Sequence, residues 1–279
     1  MEKLQSIFDN FQRRSNLRFS AFEIESAVGN LEKIQDGAYL EKSKWLGGSS
    51  ENFVCLAIDL DKSSKLSARK DPEAMARLYE YFTQNIVEML SVDSLKADYI
   101  DIKGDGVFGI YQEPNAIERA FVAAVTFRTF FEKVIKGRFP RIQLTCKSSM
   151  CIDSLLVKKI GNRKYNNEVW AGRLVNNTYK LIGVSRKAKD TNLASETDSL
   201  FAISSDVYKY LDKNYHDYAV MSCGCHTQDK QPTMLWSSLD VSRDDDIVGN
   251  TAYFLKSIWC DNHGDEYIKN ILGIKGYEE

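Results

Sequence analysis

The sequence has no excess of charge to offer a polyanion: 37 Lys and Arg stand against 39 Asp and Glu, a formal net charge of -2. Nucleic-acid binders draw much of their affinity from a basic surface, so that class has no electrostatic support. The short basic runs, Arg13-Arg14 and Lys158-Lys159, are balanced by acidic residues and read as solvated surface. Also missing is any apolar run near the ~20 residues that span a bilayer. The start, MEKLQSIFDNFQRRS, lacks the apolar core of a signal peptide and reads as an amphipathic helix. A cytoplasmic protein is expected, its six cysteines reduced. Histidine is scarce, at three, and none lies between residues 53 and 185. Repeats and low-complexity tracts are lacking too. What is there, 43% hydrophobic and 27% charged over 279 residues, is ordinary globular composition. The length suits one large domain, or a typical domain with terminal extensions.

Residues 1–30 show helical spacing at Leu4, Ile7, Phe8 and Phe11, whereas 35–52 are polar and end in Gly47-Gly48-Ser49-Ser50, a flexible join. Phe53 to Ile58 is a continuous apolar run, too short for a helix and suited to a strand buried on both faces. Asp71-Pro72-Glu73 marks a helix start, with a capping carboxylate and proline in the first turn. Met75, Leu78, Tyr79, Phe82, Ile86 and Met89 continue it at helical spacing. YIDIKGDGVFGIY reads as two alternating runs around a Gly-Asp-Gly turn, a hairpin. A second amphipathic helix is expected over 117–136, a strand over 141–153, and a loop entering a helix over 169–183. That order implies an α+β sandwich, a mixed and mainly antiparallel sheet with helices on one face.

Asp59 ends the buried strand and Asp105 sits at the hairpin tip. A sheet that places these strands side by side brings both carboxylates to one edge. Paired carboxylates there suit Mg²⁺, which takes one or two of them and fills its octahedron with water and phosphate oxygens. The segment Asp61-Lys62-Ser63-Ser64 is placed to wrap phosphates with backbone N–H groups. Taken singly, each aspartate reads as a loop or turn residue; it is the combination that points to a site.

FVCLAIDLDKSS, YIDIKGDGVFGIY and WAGRLVNNTYKL resemble, in order and spacing, the three signature segments of class III adenylate and guanylate cyclase domains. The resemblance covers residues 53–185. It implies a ferredoxin-like core in a homodimer whose active sites form across the interface. By that resemblance Asp59 and Asp105, with the carbonyl of Leu60, hold two divalent ions (Mn²⁺ or Mg²⁺). Asn176 orients the ribose, and Lys180, where most members carry arginine, neutralises charge on the α-phosphate. Spacing of four puts Asn176 and Lys180 on one helix face. Further residues implied for the nucleotide are Phe53, Leu60, Ser63, Ser64, Asp101, Lys103, Val169 and Arg173. The Gly-Gly-Asp/Glu-Glu-Phe hairpin of the related diguanylate cyclases is absent.

Purine cyclases of this family read the base with Lys or Glu four residues before the hairpin aspartate and a polar residue seven before the asparagine. Here those positions hold Asp101 and Val169. With Trp170-Ala171-Gly172, Lys180 and the KGDG turn, the chain is similar to the Pycsar pyrimidine cyclases of bacterial anti-phage defence, whose cyclic UMP or cyclic CMP activates a separate effector. Asp101 and Lys103 alternate with Ile100 and Ile102, giving an acceptor and a donor on one sheet face for a pyrimidine edge. The resemblance favours UTP, since cyclic UMP is the commoner product. CTP, ATP, and a catalytically inactive nucleotide-binding domain stand as alternatives.

Three regions are expected: a helical lead and join at 1–50, the cyclase domain at 51–240, and an extension at 241–279. Cys223, Cys225, Cys260 and His263 supply four ligands of the kind that hold tetrahedral zinc, against the alternative of core cysteines. Their ~35-residue gap is longer than in small zinc modules. Such an ion would be structural and would pin the extension.

Overall fold

A computed structural model describes residues 2–20, 22–35, 44–49, 53–68, 70–161, 164–190, 198–216, 220–225, 231–241 and 251–255. In chain order the elements are α1 (Glu2–Ser20), β1 (Ile24–Ser26), α2 (Leu31–Gln35), β2 (Trp45–Gly48), β3 (Phe53–Leu60), α3 (Ser63–Ser67), α4 (Pro72–Leu90), β4 (Tyr99–Lys103), β5 (Gly106–Gln112) and α5 (Ala116–Phe130). A π-helical turn, Phe131–Ile135, leads into α6 (Lys136–Arg138). Then follow β6 (Cys146–Ile152), β7 (Leu155–Gly161), β8 (Asn166–Trp170), α7 (Arg173–Asp190), β9 (Ser199–Ser204), α8 (Ser205–Tyr215), β10 (Ser222–Cys223), β11 (Thr233–Met234), β12 (Trp236–Asp240) and β13 (Thr251–Leu255).

The segment β3-α4-β4-β5-α5-β6 supplies four neighbouring strands, with β4 at the edge, of a seven-stranded sheet ordered β12-β13-β9-β6-β3-β5-β4. Most neighbours are antiparallel, and β6 with β9 is parallel. This is the expected mixed sheet with a ferredoxin-like core. Every residue of β3 is buried except Asp59, which is half-buried. Its apolar side chains are therefore divided between two covered faces.

One face carries α4, α5 and α8. Asp71 begins α4, its carboxylate accepting from the N–H groups of Glu73 and Ala74, with Pro72 in the first turn. Met75, Leu78, Phe82, Ile86 and Leu90 then repeat along its buried side. Phe82 meets Phe127 and Phe131 edge-on, at centroid distances of 5.7 and 6.4 Å. Each fully buried ring of this kind contributes roughly 1.5–3 kcal/mol by leaving water.

The other face is covered by α7, whose Leu174, Val175 and Ile182 pack with Phe53, Cys55, Ala57, Phe108 and Ile110. A second sheet, ordered β1-β2-β7-β8, extends from this side as an arm. Its strand β2 lies in the stretch expected to be a flexible join, because Leu46 to Gly48 pair with β7. Likewise β13, from the expected extension, pairs with both β12 and β9. Among the described residues no helix is long and apolar enough to cross a membrane.

Candidate active site

Lys103 faces Gly106 across the β4–β5 ladder, leaving Gly104-Asp105 as a two-residue turn. Gly104 takes φ +64°, a first turn position that suits glycine and matches the right-handed twist of a hairpin. Pairing of β3 with β5 runs to Ile58 opposite Val107, which brings the next residue, Asp59, beside Gly106. A Cβ on Gly106 would lie 2.9 Å from Asp59 Oδ1 and 3.2 Å from the Ile58 carbonyl oxygen. The Asp59 carboxylate thus rests on the residue that follows Asp105, and both acids share one sheet edge. Asp105 Oδ2 is buried and has no hydrogen-bond partner. An anionic oxygen withheld from water and left unpaired is costly, and a cation would satisfy it. Among the described residues no group of three or more His, Cys, Asp or Glu gathers as a nest for metal. A pair of carboxylates at a strand end suits a hard ion that brings its own water and phosphate ligands, so the residues fit Mg²⁺ or Mn²⁺.

The chain leaving Asp59 is held firmly. Asp61 forms a buried ion pair with Lys147 at 2.6 Å, their side chains 5% and 3% exposed, and Lys147 is the residue opposite Asp59 across the β3–β6 ladder. Leu60 is buried at the strand end, Lys62 turns the backbone with φ 60°, and Ser63 and Ser64 open α3. Sequence spacing gave no hint of the Asp61–Lys147 pair, whose partners lie 86 residues apart.

Asp101 and Lys103 do project together: Lys103 Nζ is 2.7 Å from Asp101 Oδ2, an ion pair. Opposite Asp101 in the ladder stands Phe108. Trp170 packs edge-on against Phe108 at 5.3 Å and Tyr99 at 5.0 Å, and Tyr179 meets Phe108 at 6.1 Å. These rings pin the arm and α7 onto the sheet beside the acidic edge. Val169 alternates with Trp170 on β8, is 41% exposed, and faces away from that cluster. Phe53 is also not brought to the site. It lies six residues from Asp59 along β3, about 20 Å, and its ring is fully buried against Gly48.

Gly172 explains how α7 starts. A Cβ there would meet Leu156 N at 2.4 Å and Ser154 O at 2.7 Å, so only glycine allows this approach. The N–H groups of Ala171 and Gly172 donate to Leu156 O, and that of Leu174 to Ser154 O. Asn176 and Lys180 are both exposed on α7, while Leu174, Val175, Asn177 and Thr178 are buried. Asn177 donates to Asp153 at 2.8 Å, and Arg173 pairs with the same carboxylate at 3.0 Å. Asn176 and Lys180 therefore face outward.

Burial pushes the Cys151 thiol up to about 12, and Cys55 and Cys146 rise for the same reason. These are unreactive core thiols. Of the four residues proposed for zinc, Cys223 is buried and Cys225 exposed, whereas Cys260 and His263 lie outside the described residues.

No protein-family model matches the chain. It is 27% identical over 241 residues to a uridylate cyclase of Micromonospora echinofusca, covering 84% of this chain and 72% of that protein. It is 27% identical over 281 residues to a uridylate cyclase of Propioniciclava tarda, covering 96% and 84%. Among solved structures, the adenylyl cyclase CyaB from P. aeruginosa superposes with TM-score 0.54 at 15% identity, over 78% of this chain and 98% of that one. The guanylate cyclase domain of RhGC from Catenaria anguillulae, in complex with GTP, superposes with TM-score 0.54 at 10% identity, over 76% and 99%. The fold is that of solved adenylyl and guanylyl cyclases, and in sequence the chain is similar to proteins named uridylate cyclase.

Proposed function

We propose that this protein is a pyrimidine nucleotide cyclase that converts UTP into 3′,5′-cyclic UMP and pyrophosphate. The observation that carries the reading is the Asp59 carboxylate lying against Gly106, the residue that follows Asp105, within a cyclase fold. The choice of pyrimidine is supported by Asp101 and Val169 where purine cyclases place base-reading groups, and by the names of the two relatives.

In this reading Asp59, Asp105 and the Leu60 carbonyl would hold two divalent cations, and the segment at Ser63 and Ser64 would lie along the triphosphate. When bound, such ions favour loss of the 3′-hydroxyl proton and neutralise charge on the phosphates. The ribose 3′-oxygen attacks the α-phosphorus in line. A 3′-O–P bond forms, the bond to the β-phosphate oxygen breaks, pyrophosphate leaves, and the hydroxyl proton passes to solvent. Asn176 and Lys180 point outward on α7, so they serve a site on a second copy: Asn176 orients the ribose and Lys180 meets the α-phosphate. A symmetric dimer then holds two complete sites. Asp101 and Lys103 face the base. Positioning and charge neutralisation supply most of the rate. The cyclic product would serve as a cytoplasmic messenger to a separate effector in anti-phage defence.

The test is to incubate the protein with each of the four ribonucleoside triphosphates and Mn²⁺ and to identify products by mass. Cyclic UMP is expected from UTP. Cyclic CMP as the main product would move the assignment to cytidylate cyclase, and cyclic AMP would overturn the pyrimidine reading.

A further inference from the structure

Two residues, Asp153 and Ser154, link β6 of the central sheet to β7 of the arm. Asp153 is only 6% exposed, and a carboxylate at that depth needs donors to offset its lost hydration. It has them on both oxygens. Oδ1 accepts from the Ser154 N–H at 2.7 Å and from Ser154 Oγ at 3.3 Å, and the Arg173 guanidinium closes on the same oxygen at 3.0 Å. Oδ2 accepts from Asn177 Nδ2 at 2.8 Å. Arg173 and Asn177 lie one turn apart on the same side of α7. A single carboxylate therefore ties the strand link to the start of that helix.

Two further bonds run between the same elements. The Leu174 N–H donates to Ser154 O, and the fully buried Ser149 of β6 donates its hydroxyl to the Thr178 carbonyl oxygen at 2.7 Å. The other buried contacts of α7, from Leu174, Val175, Leu181 and Ile182, are apolar. Apolar contact is non-directional and leaves a helix free to roll; hydrogen bonds are directional and stop it. Exposed Asn176 lies between the tied residues, beside Asn177 and one turn before Lys180. With side chains about 5–6 Å from the helix axis, a roll of about 10° moves the Asn176 tip by ~1 Å. Misplacement on that scale costs about 10²-fold in rate.

We propose that Asp153 is a positioning residue: by gripping Arg173 and Asn177 it fixes the roll of α7, and so the place where Asn176 and Lys180 meet the nucleotide held by a second copy. This rests on the two-copy site of the proposed function. It also gives the Arg173 guanidinium a task other than touching the nucleotide, since it closes over the Asp153 carboxylate.

The experiment co-produces full chains under two different affinity tags, isolates the doubly tagged dimers, and follows cyclic product from UTP and Mn²⁺. Asp59→Ala disables the metal half and Asn176→Ala the helix half, so their mixed dimer keeps one intact site of two and should give about half of wild-type turnover. Asp153→Asn turns an N–H₂ toward the donors. By itself it is expected to lower kcat and kcat/KM together by about 10–10²-fold, the mark of a contact made in the transition state. Paired with Asp59→Ala it should recover about half of wild-type turnover; paired with Asn176→Ala it should stay at its own low level or below. Asn177→Leu breaks the same bond from the helix side and is expected to behave alike, which keeps the test decisive if Asp153→Asn does not fold. Wild-type turnover in both variants overturns the proposal. So does failure of both to recover with Asp59→Ala while the control pair recovers, because the bond would then hold up the whole protomer rather than place one helix. Recovery with Asn176→Ala overturns it as well, by moving Asp153 to the metal half. No product from wild type, or none from the control pair, overturns the two-copy site along with the proposal.

Discussion

The two faces of the central sheet are built to different rules. On the α4–α5 face the contacts are apolar and closed: Phe82, Phe121, Phe127 and Phe131 are fully buried, and Glu118 is paired with Tyr210 and Tyr215 at 2.6 and 2.8 Å, leaving the Tyr111 hydroxyl as the buried exception among the described residues. On the α7 face the rings of Tyr99, Phe108, Trp170 and Tyr179 pack beside carboxylates that have too few donors. The first face holds the fold together. The second gives up some of that stability to keep charged groups fixed where charge will arrive, the pattern expected where a protein departs from uniform satisfaction at a functional site.

That contrast can be broken experimentally. The largest effect is expected from Asp59→Ala, which should remove turnover by at least ~10²–10³-fold, the scale of losing one preorganised electrostatic group. Its circular dichroism should match wild type; an unfolded variant would show that the α7 face carries the fold as well. Next come two variants of similar size and opposite cause. Phe82→Ala should cost about 3–5 kcal/mol in urea unfolding by opening a cavity. Lys147→Met should cost about 3–5 kcal/mol by removing the cation paired with the buried Asp61 carboxylate. If Phe82→Ala proves mild, the first face is less tightly packed than its burial implies. Gly106→Ala sharpens the comparison, because its Cβ would press within 2.9 Å of Asp59 Oδ1. Mn²⁺ affinity should fall about 10-fold while the melting temperature barely moves. The smallest effect is assigned to Asp71→Ala, about 1 kcal/mol for a lost helix cap, with Mn²⁺ binding unchanged.

Local chemistry made much of this legible in the sequence. The run from Phe53 to Ile58 could only be a strand covered twice, and the Gly-Asp-Gly turn declared its hairpin. Asp71-Pro72 marked a helix start to the residue. The four-residue spacing of Asn176 and Lys180 was enough to place them on one exposed face. What escaped depended on distant partners. Trp45 to Gly48 has no strand pattern of its own and becomes one only because β7 is there to pair with. Trp170 and Tyr179 read as motif neighbours, and nothing local announces that both rings meet Phe108. Phe53 shares a segment with Asp59, but strand geometry carries it to the opposite end of the domain.

The pairing of β2 with β7 also has a practical consequence for anyone handling the protein. Shortening the chain to begin near residue 50 would strip β1 and β2 from the arm and leave β7 with a bare row of amide and carbonyl groups. Such an edge recruits strands from other molecules, so a truncated preparation would tend toward ill-defined aggregates.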